Sequence, residues 1–261
     1  VIHNYSSHIH ISIPTFSPYY EFAGPHTQVT KFQLDPAKNF AVDPEEYVES
    51  VLRSKADTAV LISPNNPDGY LIPDADLEWI LSQLSSLRTM IVDESFVHFA
   101  DRPTAPGGLP TLTGITQQFE NVTVVKSMSK DFGIAGIRAG YAIMQPERVD
   151  QLLAHGYLWN TSGLAEYFFS LFDRSAFLTE YRQELFRYRR FIDNFTTATA
   201  RFDFVRAFDT SANFQLMQIH ADVSAEVVTA LLLLRHGIYV RNCSDKIGLD
   251  GEFLRVAIRT E

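Results

Sequence analysis

Cysteine is nearly missing. The 261-residue chain has one, Cys243, so no internal disulfide framework exists and a reducing, cytoplasmic compartment is expected. Long apolar runs are missing as well. The longest, Ala230 to Leu234, is a few residues inside an amphipathic stretch, against the roughly 20 that a membrane-spanning helix needs, so no membrane partner is expected. The opening residues Val1-Ile2-His3-Asn4-Tyr5 carry neither the basic region nor the apolar core of a secretion signal. Basic residues are outnumbered, 22 Lys and Arg against 31 Asp and Glu, for a net charge of −9. Nucleic-acid binding needs a basic stripe, and none is visible. Internal repeats and low-complexity tracts are also lacking. A metal site is not expected: His8 and His10 follow strand-like i, i+2 order, but no acid or cysteine is spaced to join them.

What is present is ordinary for a globular protein, with 46% apolar and 20% charged residues. The first 145 residues alternate short β-branched runs with helical patterns, which predicts an α/β fold with a mostly parallel central sheet flanked by helices. Strands are expected at His10–Ile13, Thr58–Ile62, Met90–Asp93 and Val122–Val125. A helix is expected over 74–87, where Leu77, Ile80, Leu81 and Leu84 recur at helical spacing. A long, broken helical region over 162–201 leads to a smaller C-terminal α+β unit. There the pattern gives a strand at 213–219, a helix at 224–236 closed by Gly237, and strands near 238–240 and 253–258. The expected division is therefore 1–160 and 161–261.

The most specific segment runs Val125-Lys126-Ser127-Met128-Ser129-Lys130-Asp131-Phe132-Gly133-Ile134-Ala135-Gly136-Ile137-Arg138. An apolar strand ends in a hydroxyl-rich turn holding a lysine, with an arginine eight residues beyond it. A lysine that condenses with an aldehyde needs a rigid strand-to-loop edge and an amine partly deprotonated by burial or nearby positive charge. The hydroxyls of Ser127 and Ser129 and the guanidinium of Arg138 suit a dianionic phosphate. Composition alone also fits an ordinary surface turn; the combined spacing argues against that. Elsewhere, Ser63-Pro64-Asn65-Asn66-Pro67-Asp68-Gly69 reads as a turn closing a strand. Val92-Asp93-Glu94-Ser95-Phe96 puts an acid at a buried strand end, the edge where ligands collect in open α/β sheets. Arg255, inside the apolar run Phe253–Ile258, requires an anion: a bound carboxylate, or an internal ion pair.

The lysine segment resembles the Schiff-base signature of pyridoxal-phosphate (PLP) enzymes of fold type I, the aspartate-aminotransferase superfamily or class I/II aminotransferases. The resemblance is strongest to the branch of histidinol-phosphate aminotransferase and threonine-phosphate decarboxylase. It covers nearly the whole chain, because the other landmarks follow in the family's order. It implies PLP as cofactor and Lys130 as the Schiff-base lysine and proton shuttle. Asp93 and Glu94 cannot both face one site from a strand, and the resemblance assigns the first, Asp93, to the pyridine nitrogen. Asn66 would bind the ring hydroxyl, and Phe16 would stack on the ring where Tyr or Trp is usual. Ser127, Ser129 and Arg138 would hold the phosphate. Arg255 would clamp the substrate carboxylate, or a phosphate group if the substrate resembles histidinol phosphate, with Arg241 a second anion site or a structural residue. His98 and Cys243 are expected to pack.

Three departures from the family pattern bear on function. Asp68 stands where threonine is usual. Phe96 replaces the tyrosine whose hydroxyl bonds the PLP ring oxygen in most transaminases, and a phenylalanine there resembles the threonine-phosphate decarboxylase relatives. The Gly/Ser-rich phosphate turn that the family places upstream of the stacking aromatic has no counterpart in the 15 residues before Phe16. With the N-terminal arm and last helix also unmatched, the chain reads as truncated at both ends. The activity expected is amino transfer from an amino acid or phosphorylated amine to a 2-oxo acid, in a homodimer. Decarboxylation of an O-phospho amino acid is the first alternative, and a non-catalytic PLP-fold module the second.

Overall fold

The computed structural model describes residues 6–21, 23–102, 108–155, 161–220 and 222–259. The opening Val1–Tyr5 and the expected division at 160 lie outside them. Six strands form one sheet: β1 (His8–Ile13), β2 (Gln28–Gln33), β3 (Thr58–Ile62), β4 (Thr89–Asp93), β5 (Val122–Ser127) and β6 (Gly140–Ile143), in the spatial order β2-β1-β3-β4-β5-β6. All neighbours pair parallel except β5 with the edge strand β6. The mostly parallel sheet flanked by helices is the architecture the alternating pattern predicts. Every residue of β3 and β4 is buried, as a strand covered on both faces requires.

Around this sheet run α1 (Pro18–Glu21), α2 (Pro44–Ser54), α3 (Asp74–Gln83) and α4 (Pro146–Ala154). The start of α2 is set chemically: Asp43 accepts the Glu46 N–H at 3.1 Å, and Pro44 opens the first turn. Its far end is closed by Lys55 in the left-handed region, φ 58°. Tyr47, Val48 and Val51 face the core, and α3 buries Leu77, Ile80 and Leu81 against the same cluster. Each such fully buried aliphatic side chain contributes roughly 1.5–3 kcal/mol.

The long helical region is broken, as its pattern suggests, into α5 (Gly163–Ser170), a tight turn at Leu171–Asp173 and α6 (Ser175–Thr199). A second sheet follows, antiparallel throughout, of β7 (Val205–Ala207), β8 (Phe214–Ile219), β9 (Arg241–Asn242) and β10 (Phe253–Ala257), in the order β7-β8-β10-β9. Helix α7 (Ala225–His236) is capped by the Ser224 hydroxyl and ends on Gly237 at φ 67°. The strand expected near 238–240 is displaced: Ile238 and Tyr239 are 51% and 71% exposed, and pairing begins only at Arg241. Among the described residues no helix is long and apolar enough to cross a membrane.

Candidate active site

Because β1, β3, β4 and β5 run parallel and adjacent, their C-terminal ends share one edge of the sheet. That edge carries Phe16 and Tyr19 after β1, Asn66 after β3, Asp93 at the end of β4, and Ser127 to Lys130 from β5 onward. This is where an open α/β sheet gathers a ligand.

The turn after β3 divides its two asparagines. Asn65 is structural: its amide donates to the Pro14 carbonyl at 3.0 Å and to the Asp68 carboxyl, while its oxygen accepts the Thr15 hydroxyl at 3.2 Å. These bonds tie the segment carrying Phe16 to the one carrying Asn66. Gly69, at φ +81°, packs so closely that a Cβ would lie 2.1 Å from the Thr210 hydroxyl oxygen, so only glycine fits. Asn66 is left to face Arg255, whose guanidinium donates to its side-chain oxygen. Asp68, at the threonine position, is 1% exposed. Burial pushes its carboxyl up to about 7 against the opposing hydrogen bonds from Tyr70 N–H and Asn65. The folded protein therefore holds this proton more tightly than the unfolded chain does. Stability should fall as pH rises from about 4 to about 7, by at most about 4 kcal/mol. Asp68→Asn, which cannot titrate, should remove that slope in urea melts taken across this range. It also turns an amide N–H toward one of the two donors, so the slope, not the absolute stability, is diagnostic.

Asp93 is 7% exposed. One oxygen accepts the Ser95 N–H at 2.9 Å and the Ser95 hydroxyl at 2.5 Å, and the other accepts the Tyr19 hydroxyl at 2.7 Å. Burial and the adjacent carboxylate hold the Tyr19 phenol well above its ordinary range, so it stays a donor. The Ser95 hydroxyl also accepts the Ser127 N–H at 3.1 Å, and Ser127 in turn accepts the Ser129 N–H at 3.2 Å. A continuous chain of hydrogen bonds thus links the acid to the loop that bears Lys130. Neither Tyr19 nor Ser95 is marked by its residue type as a site residue, although a helical i, i+3 step from Phe16 and an Asp-x-Ser turn pattern are both there to be read. Glu94 points elsewhere, accepting the Thr111 hydroxyl at 2.8 Å and the Leu112 N–H at 2.7 Å, as strand alternation requires.

Lys130 is exposed as a residue. Partial burial of its amine, then the Arg255 and Arg138 guanidinium groups, push that amine below its ordinary value. Arg255 is half-buried with its guanidinium 5.0 Å from the Phe214 ring centroid. Phe96 is buried edge-on against the same Phe214 at 5.0 Å, so it supports the ring beneath the arginine. Arg241 sits directly opposite Arg255 in the β9–β10 register and pairs with Asp245 at 2.5 Å. Arg138, exposed and at φ 58°, donates to the Ala135 carbonyl. Phe16 is 42% exposed. A cavity of about 880 Å³ lies along the Lys130–Ile134 segment and α6, lined by Phe132, Phe177 and Tyr181. Of the expected site residues it takes in Lys130 alone.

Two residues outside the expected site behave differently from one another. Cys243 is fully buried in the main core cluster, as a small hydrophobe packs. His98 does more than pack: its Nδ1 lies 2.7 Å from a carboxylate oxygen of Asp131 and 2.7 Å from the Tyr181 hydroxyl. His10 is held by Thr30 at 2.9 Å and Ser50 at 3.3 Å, and burial, with His8 nearby, pushes it down to about 4.

The family model for aminotransferase class I and II matches residues 1–261. The chain belongs to that family. It is 42% identical over its whole length to an L-serine phosphate decarboxylase of Campylobacter jejuni, covering 67% of that protein. It superposes on a decarboxylase structure from Sulfurospirillum multivorans with a TM-score of 0.92 at 39% identity, covering 98% of this chain and 72% of that one. A histidinol-phosphate aminotransferase structure from Clostridium acetobutylicum follows at a TM-score of 0.84 and 27% identity, over 100% of this chain and 75% of that one. The chain spans about two thirds of the curated decarboxylases it matches, 67% and 64%.

Family members of this kind are PLP-dependent enzymes with small-molecule substrates. The donor set at the sheet edge fits that cofactor: a depressed amine for an aldehyde, a buried carboxylate for a pyridine nitrogen, and guanidinium and hydroxyl groups for a phosphate. The expected activity, by contrast, is overturned. Relatives at 40–42% identity are named decarboxylases, lyases that need no 2-oxo acid, so class membership does not carry amino transfer with it. The physical reason the sequence misled is that both reactions use the same parts. They differ in which bond at Cα stands perpendicular to the cofactor ring, and no motif spells that out.

Proposed function

We propose that this chain forms the PLP site of a lyase that decarboxylates an O-phosphorylated amino acid of the phosphoserine class, releasing carbon dioxide and the phosphorylated amine. The observation that carries this reading is the pair Arg255 and Arg241, directly opposite one another on antiparallel strands. Opposed residues share a face, and two like charges there repel unless an anion joins them. Asp245 partly relieves Arg241, and Asn66 holds Arg255. A substrate phosphate, carrying nearly two charges, suits two guanidinium groups better than a carboxylate does. A carboxylate that must leave as neutral carbon dioxide is also slowed by an ion pair, which stabilises the ground state more than the transition state. Placing the phosphate on the arginines leaves the carboxylate free of such a partner.

PLP, when bound, supplies the electron sink for the charge left at Cα. On this reading Lys130 Nζ attaches the cofactor and later delivers a proton at Cα. Asp93 accepts the pyridine N–H, Asn66 orients the ring oxygen, and Phe16 covers one ring face. Ser127, Ser129 and Arg138 hold the cofactor phosphate. Phe96 offers the ring no hydroxyl and acts through Phe214 on the position of Arg255. A cytoplasmic homodimer is the assembly we propose, supported by the family resemblance and the single cysteine.

The deciding experiment gives the holoenzyme O-phospho-L-serine and O-phospho-L-threonine without any oxo acid. Carbon dioxide release matched mole for mole by the phosphorylated amine is expected, with Arg241→Ala raising KM for phosphorylated substrate by roughly tenfold or more. Amino transfer that depends on 2-oxoglutarate, with no carbon dioxide formed, would sink the reading.

A further inference from the structure

Behind the reactive lysine lies a cluster that the site described above does not use. Asp131 follows Lys130 in the chain, yet its side chain is fully buried, while Lys130 is exposed. The two side chains therefore leave the backbone on opposite sides. One Asp131 oxygen lies 2.7 Å from Lys126 Nζ and 2.7 Å from His98 Nδ1, and the Lys126 and His98 side chains are 0% and 5% exposed. Burial alone would raise the Asp131 carboxyl, but the Lys126 ammonium and the His98 hydrogen bond hold it below the usual carboxylate range. Burial keeps His98 below its ordinary value, so Lys126 is the charge that Asp131 balances.

The cluster reaches three separate elements. Lys126 belongs to β5, and its ammonium also approaches the Glu94 carbonyl at 3.4 Å. His98 lies on the turn after β4, and that turn is clasped from α6 by Arg189, which donates to the His98 and Ala100 carbonyls at 2.8 and 2.5 Å. Tyr181 of α6 meets His98 directly. A loop residue paired at 2.7 Å with an ammonium on a central strand, and at 2.7 Å with an imidazole on a turn that α6 clasps, is held back from drifting.

We infer that Asp131, bridged to Lys126 and His98, is the positioning residue for Lys130, anchoring the loop from its inner side and balancing the buried ammonium behind it. This rests on Lys130 being the residue that attaches the cofactor. A lysine has four side-chain rotors, and an amine that must meet one aldehyde carbon gains most from a backbone that does not move. Asp131→Asn keeps the shape but leaves the Lys126 ammonium without its counterion. Added positive charge behind the loop disfavours a second ammonium at Lys130.

The test follows Lys130 itself, by mass spectrometry of peptides after reductive methylation of the cofactor-free protein across pH. In Asp131→Asn the labelling midpoint of Lys130 should move down by about half a unit to one unit. Capture of added PLP, followed by its visible absorbance, should slow at least about fivefold. The double variant Lys126→Met/Asp131→Asn leaves no unpaired charge, so it serves if the single variant does not fold. Its midpoint should return toward the wild-type value while capture stays slow, because the anchor is still missing. A variant with an unchanged midpoint and wild-type capture, differing only in melting temperature, would overturn the inference. Borohydride reduction of wild-type holoenzyme separates the two readings: an adduct on a residue other than Lys130 removes the underlying assignment, whereas an adduct on Lys130 with indifferent variants removes only the anchor.

Discussion

Lys130→Ala is expected to lower turnover by roughly 10⁴-fold or more, because one side chain both attaches the cofactor and moves the proton. The same change should abolish the absorbance band that PLP gives when joined to a lysine and leave no borohydride-stable adduct in the peptide covering 126–138. Stability should hardly change. Lys130 is exposed and lies beside the Arg255 and Arg138 guanidinium groups, so removing its charge relieves repulsion and stays within about 0.5 kcal/mol either way. Ethylamine added to the variant should restore a small fraction of turnover, since the missing amine is replaced without its tether. A variant that keeps the unchanged band would show that another lysine attaches the cofactor.

How far the sequence foretold this arrangement depends on the range over which each residue finds its partner. Strand β3 was legible to the residue because β-branched Thr58, Val60 and Ile62 alternate with apolar Ala59 and Leu61, and all five are buried. Strand β2 was not. Gln28–Gln33 is an edge strand with no buried residue, and its two apolar residues, Val29 and Phe32, stand three apart, out of step with a period of two. Strand β6 was hidden inside the glycine-rich stretch after Lys130; a Cβ on Gly140 would lie 2.8 Å from the Lys126 carbonyl oxygen, so glycine there is the strand's entry condition. At the site, strand alternation said only that Asp93 and Glu94 could not both face it; the family resemblance picked Asp93. The Asp131 cluster could not be read at all, because its members come from β5, the turn after β4 and α6, and become neighbours only once the sheet order exists.

The same limit explains why the parts were legible and the reaction was not. Lysine, acid, asparagine and arginines follow one another in the family's order, and each has a chemistry that its residue type announces. Reaction choice depends on how the substrate is turned, and on the proposed reading that is set by a cross-strand relation. Arg241 and Arg255 are fourteen positions apart in sequence, yet directly opposed in the β9–β10 register. From the sequence alone Arg241 was as easily a structural residue, and its ion pair with Asp245 shows that it has that side as well.

Asp93→Asn should show how much of the rate comes from the acid on β4. Both Ser95 donors point at one Asp93 oxygen, at 2.9 and 2.5 Å, and the Tyr19 hydroxyl points at the other. An asparagine keeps its carbonyl oxygen toward the two Ser95 donors, so its amide N–H₂ replaces the oxygen that meets Tyr19, the one the proposed reading turns to the pyridine nitrogen. An acceptor becomes a donor, and a donor at that place favours an unprotonated pyridine nitrogen. The ring is then a weaker electron sink, and kcat should fall by roughly 10²–10³-fold, the scale seen when one electrostatic partner is removed from a site of this kind. KM should move little, because Arg255 and Arg241 are untouched. Tyr19→Phe removes a donor but leaves the acceptor in place, so its loss should be far smaller. If Asp93→Asn kept kcat within about threefold of wild type, the carboxylate would be a structural strand-end cap bound to Ser95, and the pyridine nitrogen would have to find its partner elsewhere.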